Sequence, residues 1–138
     1  MADVPAFTAV VNAGPTLAGC RIATANTNRD GTGTLGTIFT AGANGARVDR
    51  IKWKATGVTT AGVIRVFLKD TQGSPAIRLL FEALVTAITP SATIKSAEGE
   101  LVRTDGQPLI LVPAGWSLVA GTHNAESFDV VVDVGGDY

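Results

Sequence analysis

The sequence predicts an all-β domain: a two-layered, jelly-roll-like β-sandwich of about eight strands with an extended N-terminal arm. Two observations lead there. Sixteen glycines and six prolines punctuate the chain so closely that long helices have little room. Between them lie short, mostly β-branched apolar runs, several alternating with period two. Turn signals recur at roughly 8–14 residues, the spacing of a sandwich or barrel. An eight-strand count favours a jelly roll. Residues 1–18 are assigned to the arm and 19–138 to the sandwich.

Phe7, Val10, Val11 and Leu17 make the arm apolar, while Pro5, Gly14 and Pro15 break any regular element. Such a segment is too apolar for a solvated tail, so it is expected to lie on its own domain or cross to a neighbour. Cys20 to Thr24 alternates briefly. Asn26 to Gly33 then carries every signal of an exposed loop. Thr34 to Thr40 reads as a strand, closed by a turn ending in Asn44-Gly45, a pair that tolerates positive φ.

The clearest strand follows. Val48, Ile51, Trp53 and Ala55 are apolar, and Arg50, Lys52 and Lys54 alternate with the last three, which puts the cations on one face and the core on the other. Residues 63–69 alternate similarly, with Ile64, Val66 and Leu68 opposing Val63, Arg65, Phe67 and Lys69. Residues 76–89 carry apolar side chains at helical spacing, but they return from a hairpin turn and end in the β-rich Val85-Thr86-Ala87-Ile88-Thr89, so a strand is expected. In that strand Leu80, Leu84 and Ile88 would oppose Ile77, Leu79, Phe81 and Val85, making both faces apolar and requiring cover from the arm or a second subunit. Residues 92–103 read as a half-exposed strand. Residues 109–112, 116–121 and 127–134 read as further strands, separated by Pro113-Ala114-Gly115 and the loop 122–126.

The chain has 138 residues, enough for one domain with a core of its own. Charged residues are only 17% of it, against about 25% in an average globular chain. So thin a charge coat suggests that a partner covers some of the surface. Eleven basic and 12 acidic residues are dispersed, and no basic block is available to neutralise phosphates. Nucleic acid is therefore not an expected partner. The N-terminus lacks a signal peptide's basic start and apolar stretch, and no apolar run reaches membrane-spanning length, so a membrane is not an expected partner either.

Candidate chemistry is sparse. Gly31 to Gly36 matches a G-x-G-x-x-G string, but a loop precedes it and a Thr-rich strand follows, whereas a dinucleotide site needs a strand before and a helix after. No cofactor is expected. Asn26, Asn28 and Asp30 begin like a calcium loop, yet its twelfth position is Thr37 where a bidentate glutamate belongs. His123, the one histidine, has no cysteine or histidine companion for a usual zinc site. No G-x-S-x-G string makes it part of a hydrolase triad, so it is expected to bond to backbone or a neighbour in its loop. Cys20 stands alone and reads as a small hydrophobe. Trp53 and Trp116 alternate with core positions and read as packing residues. No catalytic or metal site is assigned.

Several strings are nevertheless distinctive: Thr24 to Thr34 (TANTNRDGTGT), Phe39 to Gly45 (FTAGANG), Val48 to Ile51 (VDRI), Lys54 to Gly57 (KATG), Thr60 to Leu68 (TAGVIRVFL), Val85 to Ala92 (VTAITPSA) and Leu118 to Glu126 (LVAGTHNAE). Over residues 22–138 they resemble a family of small virion proteins encoded by tailed bacteriophages and prophages, similar to jelly-roll head decoration, or cement, proteins. The resemblance rests on turn and strand strings rather than catalytic ones. It implies a structural role on the outside of the capsid, a homodimer or homotrimer, the major capsid protein as partner, and synthesis in the host cytoplasm. Phe7, Val10 and Val11 in the arm, with Leu80 and Leu84 on the second face, are the expected interface anchors. The alternative is a receptor- or glycan-binding module of a fibre or head, which would display aromatics around Trp116 or the His123 loop.

Overall fold

A computed structural model of the chain describes residues 18–70 and 76–138. Among them are nine strands: β1 (Ala18–Ile22), β2 (Gly36–Thr40), β3 (Ala46–Ala55), β4 (Gly62–Lys69), β5 (Ile77–Val85), β6 (Glu98–Val102), β7 (Ile110–Val112), β8 (Ser117–Thr122) and β9 (Phe128–Asp137). They form two antiparallel sheets. Sheet I has the order β1-β9-β3-β6, with the short β7 also pairing β3, and sheet II has the order β2-β8-β4-β5. The pairs nest: β4 with β5, β3 with β6, β2 with β8, β1 with β9. The chain is thus one long hairpin rolled over on itself, with β7 inserted on the return.

The inward side chains of both sheets make one core. Ile22, Val48, Ile51, Trp53, Phe128, Val130 and Val132 come from sheet I, and Ile38, Ile64, Val66, Val85, Leu118 and Ala120 from sheet II. Trp53 meets Phe128 edge-on, ring centroids 5.9 Å apart. Its indole lies under Gly99, where a Cβ would come within 2.6 Å of the ring, so that position takes glycine for want of space. Trp116 also packs against the core.

Several expectations need correction. Ala18, placed in the arm, is the first residue of β1. Of residues 92–103 only 98–102 are strand, and the preceding loop exposes Ile94. The helical spacing of 76–89 is overruled by the β4–β5 hairpin. A β-bulge there changes the faces, because Val66 pairs with Phe81 but Phe67 pairs with Leu79. Leu80, the extra residue, packs against the core together with Phe81, while Leu84 points out and is 81% exposed. The two leucines therefore do not share the outer face, since the bulge breaks the period-two count between them. Phe7, Val10 and Val11 lie outside the described residues.

Candidate interaction surfaces

The outer faces of the two sheets differ in chemistry. On sheet I, outward positions alternate in sign across neighbouring strands at two levels, and the level between them reads Gly19, Val131, Lys52 and Glu100. Arg21 on β1 pairs with Asp129 on β9 at 2.7 Å, Asp129 faces Lys54 on β3 in register, and Lys54 pairs with Glu98 on β6 at 3.1 Å. That rung reads plus, minus, plus, minus. Arg50 on β3 likewise bonds Asp133 on β9 at 2.6 Å and approaches Glu100 on β6 at 3.6 Å. The cationic stripe expected on β3 is present, with carboxylates from both flanking strands neutralising it. Hydrogen bonds from Arg21 and Arg50 hold the carboxyls of Asp129 and Asp133 below the usual carboxylate range, and Lys54 does the same for Glu98. Val102, Val134 and Leu111 stand exposed on the same face, paired in register with Arg50, Arg50 and Arg47.

The outer face of sheet II is apolar and largely closed. Phe67 is 1% exposed and Val119 4%, although both point away from the central core. The loop 23–35 lies across this face. Its Asn26 carbonyl accepts from Arg65 at 3.3 Å, Arg29 reaches Glu82 at 3.3 Å, Gly31 sits over Ile77, and Leu35 sits over Gly121. Arg65 is 2% exposed and shares the Glu82 carboxylate with Arg29. A guanidinium so deeply placed needs such partners to offset its desolvation.

Asn26 organises the loop. Its side-chain NH2 donates to the carbonyls of Thr32 and Thr34 at 2.9 Å, and its oxygen accepts from the Asn28 amide. It is buried, contrary to the expectation of a wholly exposed loop, because these carbonyls need a donor once the loop folds back. Asp30 Oδ1 is taken by the Thr32 amide and hydroxyl. Thus oxygens of the calcium-like string are turned onto the loop itself. Beyond the loop, Leu84 and its register partner Val63 form the open end of sheet II's outer face.

The remaining candidates carry less. Cys20 on β1 is half-buried against the core, and burial, then Asp129, pushes its thiol up, which makes it a poor nucleophile. The His123 amide donates to Val63, but its ring Nδ1 is buried without a partner, as is Glu126 Oε2. Glu126 Oε1 accepts from the Thr60 amide and hydroxyl, which ties the β8–β9 loop to the β3–β4 loop. Gly31 and Gly33 have positive φ in the loop, and Gly36 opens β2, so no helix N-terminus follows the glycine string. Among the described residues no group of three His, Cys, Asp or Glu is placed to hold a metal ion. No helix there is long and apolar enough to cross a membrane.

Alternation in the sequence marked which residues of β3 and β4 point outward. It did not show that Arg65 and Phe67 would be covered, because the cover comes from a loop far away in the chain. The only signal for it was composition: a large aromatic and an arginine on a face opposite the core of the same strand. These geometries define an all-β sandwich with one charged and one covered outer face. No family model, curated protein or solved structure matches the chain.

Proposed function

We propose that the protein is a structural component of a bacteriophage virion, a decoration or cement protein that binds the outside of the head and stabilises it. The observation that carries this reading is the exposure of large apolar side chains on rigid strands, Leu84 above all at 81%. Side chains of that kind, fixed by a sheet, suit the anchors of a multivalent contact. The nested strand pairing supports the reading, since two antiparallel sheets paired in this way are compatible with the jelly-roll build that the sequence strings resemble. The proposed partners are the major capsid protein and further copies of this chain, with residues 1–17 contributing contacts from the arm.

The test is co-sedimentation with purified heads that lack the protein. Wild-type protein is expected to pellet with heads and raise their resistance to heat. Leu84→Asp and a variant lacking residues 1–17 are expected to keep the wild-type circular dichroism spectrum and lose most of the binding. Wild-type protein that stays in the supernatant at every concentration overturns the proposal. The glycan-binding alternative would need aromatics displayed around Trp116 or the His123 loop, and Trp116 is partly buried against the core.

A further inference from the structure

We infer that the outer face of sheet I docks a second copy of this chain, two-fold related about an axis running along the strands. The inference deepens the proposed function, whose oligomeric reading it rests on. Across β1, β9, β3 and β6 the rung Arg21, Asp129, Lys54, Glu98 alternates in sign over an even number of strands. Turned face to face about an axis parallel to the strands, the second copy presents the rung in reverse order. Arg21 then meets Glu98 of its mate and Asp129 meets Lys54, so four opposite-sign pairs form across the interface. Rotation about the in-plane axis perpendicular to the strands keeps strand on strand, setting like charge on like. The charge pattern therefore selects one of the two face-to-face arrangements by repelling the other.

The same axis leaves each level of the sheet opposite itself. Arg50 on β3 then lies over Val134 on β9 of the mate, beside Asp133, which offers a further complementary charge. Aligned sheets pack about 10 Å apart, and long Arg, Lys and Glu side chains reach across such a gap. Because each charge keeps its partner within the chain, the interface stays wet, and its strength depends on ionic strength.

A charge-swap experiment tests this. Wild-type protein is examined by sedimentation equilibrium in about 50 mM and about 500 mM salt, with self-association expected to weaken at least about tenfold at the higher salt. Glu98→Lys sets a second cation against Arg21 of the mate, and Arg21→Glu sets a second carboxylate against Glu98, so each variant alone is expected to be monomeric. Mixed in equal amounts, they restore all four pairs and are expected to associate as wild type does. Loss of a purely intrachain ion pair gives no such rescue on mixing. Wild-type protein that remains monomeric at low salt overturns the inference, as do a mixture that does not associate and single variants that still do. Monomeric wild type that still binds heads removes this interface and leaves the proposed function standing. A rescued dimer that binds no heads does the reverse.

Discussion

Arg50 and Arg65 sit on outward positions of neighbouring strands in the chain, one on each sheet, and they live in different worlds. Arg50 lies in a part-exposed lattice of opposite charges, between Asp133 and Glu100. Arg65 lies beneath the loop 23–35, at 2% exposure, with Glu82 and a backbone carbonyl as its polar partners. The lesson is that alternation fixes which way a side chain points, whereas its energetic weight depends on what comes to rest on it. Sheet I leaves its outer face open, laced with intrachain ion pairs. Sheet II uses its outer face as a second, smaller core.

Truncation separates the two faces most sharply. Phe67→Ala is expected to cost about 3–5 kcal/mol, the range for emptying a packed aromatic site. Lys52→Ala, outward on sheet I, should stay within about 0.5 kcal/mol. Urea unfolding of both variants checks the contrast, and similar values for the pair would erase the distinction between a covered and a solvated face.

The two arginines give the next contrast. Arg65→Ala is expected to destabilise by about 1–3 kcal/mol, because it leaves the Asn26 carbonyl buried without its donor. Arg65→Met should recover part of that loss by refilling the volume. Arg50→Ala should cost no more than about 1 kcal/mol, the range for an exposed ion pair. A larger penalty at Arg50 than at Arg65 would invert the comparison.

Asn26→Ala removes the donor to two loop carbonyls and is expected to cost about 1–2 kcal/mol. Amide exchange should quicken in residues 23–35 and on β4, while β1, β9 and β3 keep their protection. Exchange that rises equally in both sheets would show that the loop is not an independent cover.

The smallest effect is on pH. Asp129 and Asp133 have folded-state values lowered by hydrogen bonds from Arg21 and Arg50, from the ordinary 3.8. The unfolded chain therefore binds their protons more tightly. The stability these groups contribute is fully present above 3.8 and is lost as pH falls through their lowered values. An Asp129→Asn, Asp133→Asn double variant is expected to show a flatter acid limb in thermal melts between neutral pH and strong acid. An unchanged limb would mean that these rungs add nothing to the fold.

Much of this architecture could be read from the sequence. The alternation in 50–55 and 63–69 located β3 and β4 and their faces, and the turn residues bounded most strands to within a few positions. Three things escaped, each for a physical reason. The bulge at Leu80 inserts one residue into a regular pattern, and periodicity alone does not reveal an insertion. The carboxylates that neutralise Lys54 and Arg50 come from β6 and β9, so the ladder depends on a strand order that local sequence does not encode. The inward role of Asn26 depends on where its loop lands, while its composition signals only a turn.

The nested pairing also sets a timetable for synthesis. Arg21 and Asp129 bond across a sequence separation of 108, and the strand carrying Asp129 sits in the interior of its sheet. On the ribosome, sheet I has a gap between β1 and β3 until β9 emerges, while the β4–β5 hairpin has long been free to zip. A nascent chain short of β9 carries Arg21, Lys54 and Glu98 but lacks Asp129 and the strand that joins β1 to β3.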